Sequence, residues 1–239
     1  MPEPVVRLTI DGQAVAVPPG ATIREAATSL GIQTPTLCYH DRLNCGSNCR
    51  ACVVELAGAR VLVPACSRPV AEGMQVHTDS DRVRLSRRMV LELLMTETDT
   101  SAAPELAAYA RHYGAHPERY PGVVAAATSG REPIRDNPFF IRDYAKCIAC
   151  QRCVQACGVD IQHTFAIAMV GHGHLVSVGA GDGGNDLTGS SCVFCGNCVG
   201  VCPTGALMGL AEYDARQAGE FPTPRVTWSP AAGFSEEVD

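Results

Sequence analysis

The sequence predicts an α+β protein, because it combines a β-hairpin near its start, a long amphipathic helix and cysteine-rich loops in each half. In residues 5–17, strand formers flank Asp11-Gly12, which is a strong signal for a two-residue hairpin turn. Thr22 can then cap a short helix that ends at Gly31, because its side chain can accept a hydrogen bond from a first-turn amide.

Further elements follow along the chain. We predict strands at 53–56, 60–65 and 75–78, and helices at 80–96 and about 104–113. The longer helix has an apolar stripe and an opposite charged face, and we expect the stripe to pack on a neighbouring domain. The stripe comprises Leu85, Met89, Val90, Leu93 and Leu94, and the charged face comprises Arg84, Arg87, Arg88 and Glu92.

Cysteine is over-represented, at 13 of 239 residues, or roughly three times average usage. The net charge of −6 and the lack of a basic stripe argue against a nucleic-acid partner. The first residues lack a basic start followed by an apolar run, and no apolar stretch approaches the ~20 residues that cross a bilayer. We therefore expect a cytoplasmic protein without a membrane span. In that compartment disulfides are rare and clustered cysteines bind metal.

The second half of the chain carries two runs of four cysteines with identical spacing. Each run has the form Cys-x2-Cys-x2-Cys-x3-Cys, and the runs begin at Cys147 and Cys192. In the bacterial ferredoxin pattern, which has this spacing, the fourth cysteine of each run ligates the other cluster, so two [4Fe–4S] clusters are predicted. The first ligand set is Cys147, Cys150, Cys153 and Cys202, and the second is Cys192, Cys195, Cys198 and Cys157.

Zinc is the alternative for these motifs, because Cys-x2-Cys pairs also build zinc ribbons. A ribbon site would take two cysteines from each run and leave the third and fourth without a role, which favours iron–sulfur clusters. One departure from the ferredoxin pattern is Gly158, which follows Cys157 where a proline is more usual, whereas Pro203 follows Cys202.

The first half contains the other five cysteines. The pair Cys49-x2-Cys52, with Cys66 after a predicted strand, resembles plant-type [2Fe–2S] ligation. The plant-type spacing has four residues before the pair, whereas Cys45 leaves three and Cys38 leaves ten. Spacing alone leaves Cys38 and Cys45 as alternatives for the remaining ligand.

A family resemblance is carried by the stretches PPGATIREAATSLGIQTPTLCYH, NCRACVVEL and LVPACSRPV. They resemble the N-terminal [2Fe–2S] domain shared by the large iron–sulfur subunit of complex I, NAD-linked hydrogenase diaphorase small subunits, NAD-dependent formate dehydrogenase alpha chains and [FeFe]-hydrogenases. The family spacing Cys-x10-Cys-x2-Cys-x13-Cys implies Cys38, Cys49, Cys52 and Cys66 as ligands and leaves Cys45 spare. The implied fold is a β-grasp ferredoxin. The resemblance covers about residues 5–95 and 138–210.

That family usually holds another [4Fe–4S] cluster, ligated by one histidine and three cysteines, just after the helix at 80–96. The corresponding stretch here contains His112 and His116 but no cysteine, so we expect this cluster to be missing. The expected organisation is a β-grasp [2Fe–2S] domain at 1–78, a helical linker at 79–136, a two-[4Fe–4S] domain at 137–210 and an extended tail at 211–239 that lies on a partner or stays mobile.

Three clusters and no catalytic or nucleotide-binding motif predict an electron relay. The resemblance implies a subunit of a cytoplasmic NAD-linked oxidoreductase complex, between a molybdenum/tungsten or NiFe catalytic subunit and a flavin/NAD subunit. The stretch PFFIRDYAKCIACQRCVQAC is similar to formate dehydrogenase alpha chains, whereas the length is similar to the small subunit of the hydrogenase diaphorase. The alternatives are a free polyferredoxin-type shuttle and, less favoured, an iron–sulfur redox sensor, for which the sequence offers no effector or DNA-binding element.

Overall fold

The computed structural model describes residues 4–120, 130–180 and 186–236. The predicted linker therefore includes a stretch, 121–129, that lies outside the described residues, and so do the last three residues of the predicted tail. Within the described ranges, no helix has both the length and the apolar composition needed to cross a bilayer.

The first part of the chain folds around a five-stranded mixed sheet. Its strands are β1 (Val6–Ile10), β2 (Gln13–Val17), β3 (Val53–Leu56), β4 (Val63–Pro64) and β5 (Gln75–His77). Their order is β2-β1-β5-β3-β4, with β1 parallel to β5 and the other pairs antiparallel. The predicted hairpin is confirmed, because Asp11 and Gly12 have φ of 50° and 80°, the left-handed pair that a tight two-residue turn requires. The strand predicted at 60–65 is shorter than expected, at two residues.

Helix α1 (Ile23–Ser29) begins at the predicted cap. The Thr22 hydroxyl accepts a 3.2 Å hydrogen bond from the Glu25 amide, and the Glu25 carboxylate accepts a 2.7 Å bond from the Thr22 amide. This reciprocal pair satisfies two amides that a helix start otherwise leaves without partners. The buried side chains of α1 and of the sheet form one apolar core.

Two helices, α2 (Asp81–Glu97) and α3 (Pro104–Tyr113), follow the sheet where the sequence predicted them. The predicted orientation of α2 is wrong, however. Leu85, Met89 and Leu93 are between 40% and 46% exposed, so this row of the predicted stripe faces outward. Leu94 does lie against a buried cluster.

Two residues of the charged face, Arg87 and Glu92, are buried instead, because their polar groups find partners inside the protein. The Arg87 guanidinium donates to the Tyr113 hydroxyl at 2.6 Å and to the Val53 carbonyl at 2.9 Å. The Glu92 carboxylate accepts a 3.2 Å bond from the His116 amide and lies 3.5 Å from the Arg119 guanidinium. Buried charges are tolerated when hydrogen bonds and opposite charges compensate them, as here.

The second cysteine-rich part contains two small antiparallel sheets and two short helices. Strand β6 (Phe140–Arg142) pairs with β9 (Leu207–Gly209), and β7 (Ile167–Val170) pairs with β8 (Ser177–Ala180). Helices α4 (Arg152–Cys157) and α5 (Asn197–Gly200) lie within the two cysteine runs.

The predicted extended tail is wrong within the described residues. The chain after the second cysteine run forms α6 (Leu210–Gln217) and an antiparallel hairpin of β10 (Val226–Ser229) and β11 (Gly233–Glu236). The hairpin folds back because Trp228, only 6% exposed, packs on α3. Its ring centroid lies 5.0 Å from that of Tyr109 and 4.8 Å from that of His112. A 2.7 Å hydrogen bond from the Gln33 amide to the Pro230 carbonyl ties the hairpin to the segment after α1.

Candidate metal centres

All thirteen cysteines lie in the described residues, and each is a free thiol. Four of the five in the first part are buried and lie close together beside the sheet. The Cys52 and Cys66 sulfurs are 3.2 Å apart, and the Cys49 amide donates to the Cys38 sulfur at 3.5 Å. The Cys38 thiol also lies within hydrogen-bonding reach of Cys66, which joins the two pairs into one group.

The sheet and a bent loop position this group. Val53 of β3 lies opposite Pro64 of β4, so Cys52 just before β3 and Cys66 just after β4 lie at the same end of the two strands. Ser47 has a left-handed φ of 52°, which bends the loop that carries Cys49 back toward this strand end. One strand pair and the shape of one loop therefore bring these three cysteines together.

Cys45 lies at the edge of the group rather than in the buried core. Its sulfur is 3.8 Å from the Ser47 hydroxyl, which in turn lies 3.8 Å from the Cys66 sulfur. The structure therefore brings Cys45 close to the group as well, and the choice between Cys38 and Cys45 as ligand stays a prediction.

The two cysteine runs line two separate cavities, and each cavity draws cysteines from both runs. One cavity is lined by Cys147, Cys150, Cys153 and Cys202, and the other by Cys157, Cys192, Cys195 and Cys198. Helix α4 links them, because it carries Cys153 toward the first cavity and Cys157, about one turn later, toward the second.

The two loops before these helices share a backbone conformation that bends them around the cavities. The second and fourth residues after the first cysteine have left-handed φ in both loops: 51° at Ala149 and 67° at Gln151, and 55° at Phe194 and 76° at Gly196. In both loops the amide of the second residue donates to the first cysteine's sulfur at 3.4 Å. Amides aimed at sulfur stabilise a thiolate and tune a metal that it holds.

Burial raises the pKa of several of the thiols that line the two cavities. The pKa is raised to about 11 for Cys147 and to about 12 for Cys150 and Cys198. Thiols buried in this way keep their protons at neutral pH unless a metal displaces them, so metal binding here releases protons. In the described residues, no three His, Cys, Asp or Glu side chains converge closely enough to hold a single metal ion. The cysteines of the two runs instead surround two cavities, each lined by four of them.

Hydroxyl groups near the sulfurs were not predicted. Thr164 Oγ1 lies 3.3 Å from the Cys157 sulfur, and Thr204 Oγ1 lies 3.9 Å from the Cys202 sulfur. Thr204 follows Cys202-Pro203 directly, so its position in the sequence gives a weak indication that its hydroxyl lies near the Cys202 sulfur. Thr164 is placed by the turn after α4, which the spacing of the cysteines does not reveal.

The two cysteine-rich parts meet directly. Asn48 Nδ2 donates to the Cys150 carbonyl at 3.2 Å, and Gln155 Nε2 donates to the Asn44 carbonyl at 2.8 Å. Cys38, Cys49 and Cys150 also belong to the same buried apolar cluster, which includes Trp228 and side chains of α3. The loop of the first cysteine group therefore lies against the loop of the first cavity.

Comparison with known proteins matches both parts. The 2Fe-2S iron-sulfur cluster binding domain matches residues 3–81, and the 4Fe-4S dicluster domain matches residues 146–206. A chain of NAD+-reducing [NiFe]-hydrogenase in the H2-reduced state has a TM-score of 0.76 and 27% identity, over 86% of this chain and 88% of that one. The chain therefore carries both iron–sulfur domains of the family that its sequence resembles.

Curated proteins are also similar to this chain. The NADP-reducing hydrogenase subunit HndD of Solidesulfovibrio fructosivorans is 38% identical over 216 residues, which are 85% of this chain and 36% of the relative. An NADH-quinone oxidoreductase subunit of Rhizobium meliloti is 36% identical over 220 residues, 89% of this chain and 25% of the relative. This iron–sulfur chain thus spans about a quarter to a third of these relatives. They confirm the predicted resemblance to hydrogenase and complex I-type subunits, whereas the resemblance to formate dehydrogenase stays a prediction.

Proposed function

We propose that the chain is an electron-transfer subunit that relays electrons between a catalytic subunit and a flavin/NAD(P) subunit of an oxidoreductase complex. The observation that carries the proposal is the gathering of twelve cysteines into three groups, one in the 2Fe-2S domain and two in the dicluster domain. The family's hydrogenase and NADH-quinone oxidoreductase members support this choice over a free shuttle.

The proposed ligands follow the three groups. The mixed sheet with α1 supports a β-grasp domain that holds one [2Fe–2S] cluster, and the two crossed cavities support two [4Fe–4S] clusters. The ligands are Cys38, Cys49, Cys52 and Cys66 for the [2Fe–2S] cluster, Cys147, Cys150, Cys153 and Cys202 for the first [4Fe–4S] cluster, and Cys192, Cys195, Cys198 and Cys157 for the second.

The bound clusters would accept and release single electrons. The chain itself holds each cluster through thiolates, excludes water by burying most of those sulfurs, and aims amides and hydroxyls at them to set their potentials. Cys195 is the exposed member of the second set, so the face around it suits electron exchange with another chain.

The proposed partners are a NiFe or molybdenum/tungsten catalytic subunit and a flavin/NAD subunit, in the cytoplasm. The match over 88% of a chain from NAD+-reducing hydrogenase supports hydrogen as the donor. Formate is the second candidate donor, on the sequence resemblance of the first cysteine run. The stretch between the two cluster domains has no cysteine, which supports three clusters instead of four.

Anaerobic affinity purification from the native host tests this proposal, with identification of partners and iron and sulfide counts. We expect a flavin subunit and a catalytic subunit to co-purify, with about ten irons in this chain, the sum of one [2Fe–2S] and two [4Fe–4S] clusters. A count of about fourteen irons would show that a third [4Fe–4S] cluster is present, contrary to the prediction that the histidine-ligated cluster is missing. Purification of the chain alone would favour the shuttle, and hydrogen or formate oxidation by the chain alone would refute a relay subunit.

A further inference from the structure

Asn48 lies between two proposed cluster sites. It precedes Cys49 in the chain, and its side-chain amide donates the 3.2 Å bond to the Cys150 carbonyl, 102 residues away. One peptide bond, the Asn48 side chain and one hydrogen bond therefore connect a proposed [2Fe–2S] ligand to a proposed [4Fe–4S] ligand.

The loop is shaped to leave room for this amide. A Cβ atom at Gly46 would lie 2.7 Å from Asn48 Nδ2, which is closer than a carbon and a nitrogen that are not bonded can pack. The same Cβ would lie 3.4 Å from Gln155 Nε2 on α4. Glycine at 46 thus permits the approach of the Asn48 side chain to the opposite loop.

Other bonds hold the two parts together independently of Asn48. The Asn44 amide and side chain both bond the Asp160 carboxylate, the backbone bond measuring 2.7 Å, and the Arg152 guanidinium donates to the Tyr39 carbonyl. Removal of the Asn48 amide therefore leaves the domain contact in place.

We propose that Asn48 is a positioning residue that couples the [2Fe–2S] cluster directly to the first [4Fe–4S] cluster, an inference that rests on the proposed relay. The electron lost by one cluster is the electron gained by the other, with no proton transferred and no bond broken. The hydrogen bond matters because the sequence has no cysteine between residues 67 and 146. That stretch therefore offers no cysteine ligands for an intermediate cluster. Groups just beyond the ligands commonly change the function of a metal site by about 10-fold or more when they are removed.

The test uses the full chain with its clusters, a one-electron photoreductant, and optical and EPR detection of electron exchange between the clusters. Asn48→Ala should slow the exchange about tenfold, at unchanged iron content and unchanged magnetic interaction between the two reduced clusters. Gly46→Ala should slow it too, because the new methyl displaces the Asn48 amide. Asn44→Ala is the matched control at the same interface and should exchange electrons at the wild-type rate.

Each other outcome overturns the inference. An unchanged rate in Asn48→Ala means that the hydrogen bond does not couple the clusters. A slower rate accompanied by a weaker magnetic interaction, by cluster loss, or by the same slowing in Asn44→Ala means that Asn48 only holds the structure. The proposed function fails separately, if the wild-type chain does not hold both kinds of cluster.

Discussion

The Arg87 guanidinium donates a 2.6 Å hydrogen bond to the Tyr113 hydroxyl in the space between α2 and α3. Both residues are buried, at 2% and 6% exposure, so this contact joins the two helices of the linker away from water. The second bond, to the Val53 carbonyl, ties the same guanidinium to the first sheet. A single side chain thus connects three elements.

Arg87→Ala should therefore destabilise the protein by about 3 kcal/mol, because it leaves a buried hydroxyl and a buried carbonyl without their donor. For a chain of this size that corresponds to a fall of roughly 6–12 °C in the midpoint of thermal unfolding.

Arg84→Ala is the control for this prediction. Arg84 lies on the same helix and pairs with Asp79 at 2.8 Å, but both side chains are exposed, at 44% and 39%. Exposed pairs contribute about 0–1 kcal/mol, so the midpoint should barely move. Equal shifts in the two variants would show that the buried bonds of Arg87 contribute little.

Helix α2 also shows what sequence patterns could predict. Its bounds follow from local signals, such as the Ser80 cap, whose side chain accepts a hydrogen bond from the Val83 amide at 3.3 Å. Its orientation depends on the partners of Arg87, which lie 26 and 34 residues away. Apolar periodicity assigns charged residues to the outer face and cannot anticipate such partners.

The cysteine sites likewise combine features that the local sequence predicts with features that depend on distant parts of the chain. The ferredoxin spacing of the two runs predicts two crossed sets of four cysteines, and these sets line the two cavities, while their binding of clusters stays a prediction. The contact between Asn48 and Cys150 was not predictable, because it depends on how two domains dock. The tail was misjudged for a similar reason: a single tryptophan in a proline-rich stretch gives no periodic signal, yet Trp228 anchors the hairpin.

Trp228→Ala should destabilise the chain by about 3 kcal/mol, because it removes a large buried ring from contact with Tyr109 and His112. Amides of α3 should also exchange with solvent faster, since the hairpin covers that helix. Thermal unfolding and hydrogen exchange measure both effects. Phe221→Ala is the control. Phe221 is 52% exposed, so its replacement should lower the free energy of unfolding by under about 1 kcal/mol. Wild-type protection of α3 in Trp228→Ala would mean that the hairpin does not cover the helix.

Cys38→Ser and Cys45→Ser should separate the two alternatives for the [2Fe–2S] cluster. Cys38 is 1% exposed and contacts Cys49, whereas Cys45 lies at the edge of the group. We expect Cys38→Ser to abolish or strongly alter the [2Fe–2S] EPR signal, as Cys52→Ser should, and Cys45→Ser to leave all three clusters intact. Loss of that signal in Cys45→Ser, with Cys38→Ser unaffected, would make Cys45 the ligand.

Cys157→Ser and Cys202→Ser test the crossed arrangement of the two [4Fe–4S] sites. Each cysteine belongs by sequence to one run but lines the cavity of the other. Cys157→Ser should therefore impair the cluster of Cys192, Cys195 and Cys198 and spare the other, and Cys202→Ser should do the reverse.

Loss of one [4Fe–4S] cluster would lower the iron content from about ten to about six per chain. EPR of the reduced variants distinguishes the clusters, because the second site has an exposed ligand residue, Cys195, whereas none of the first set is exposed. If each substitution impaired the cluster of its own run instead, the two sites would be uncrossed, and Cys157 and Cys202 would have to be exchanged between the proposed ligand sets.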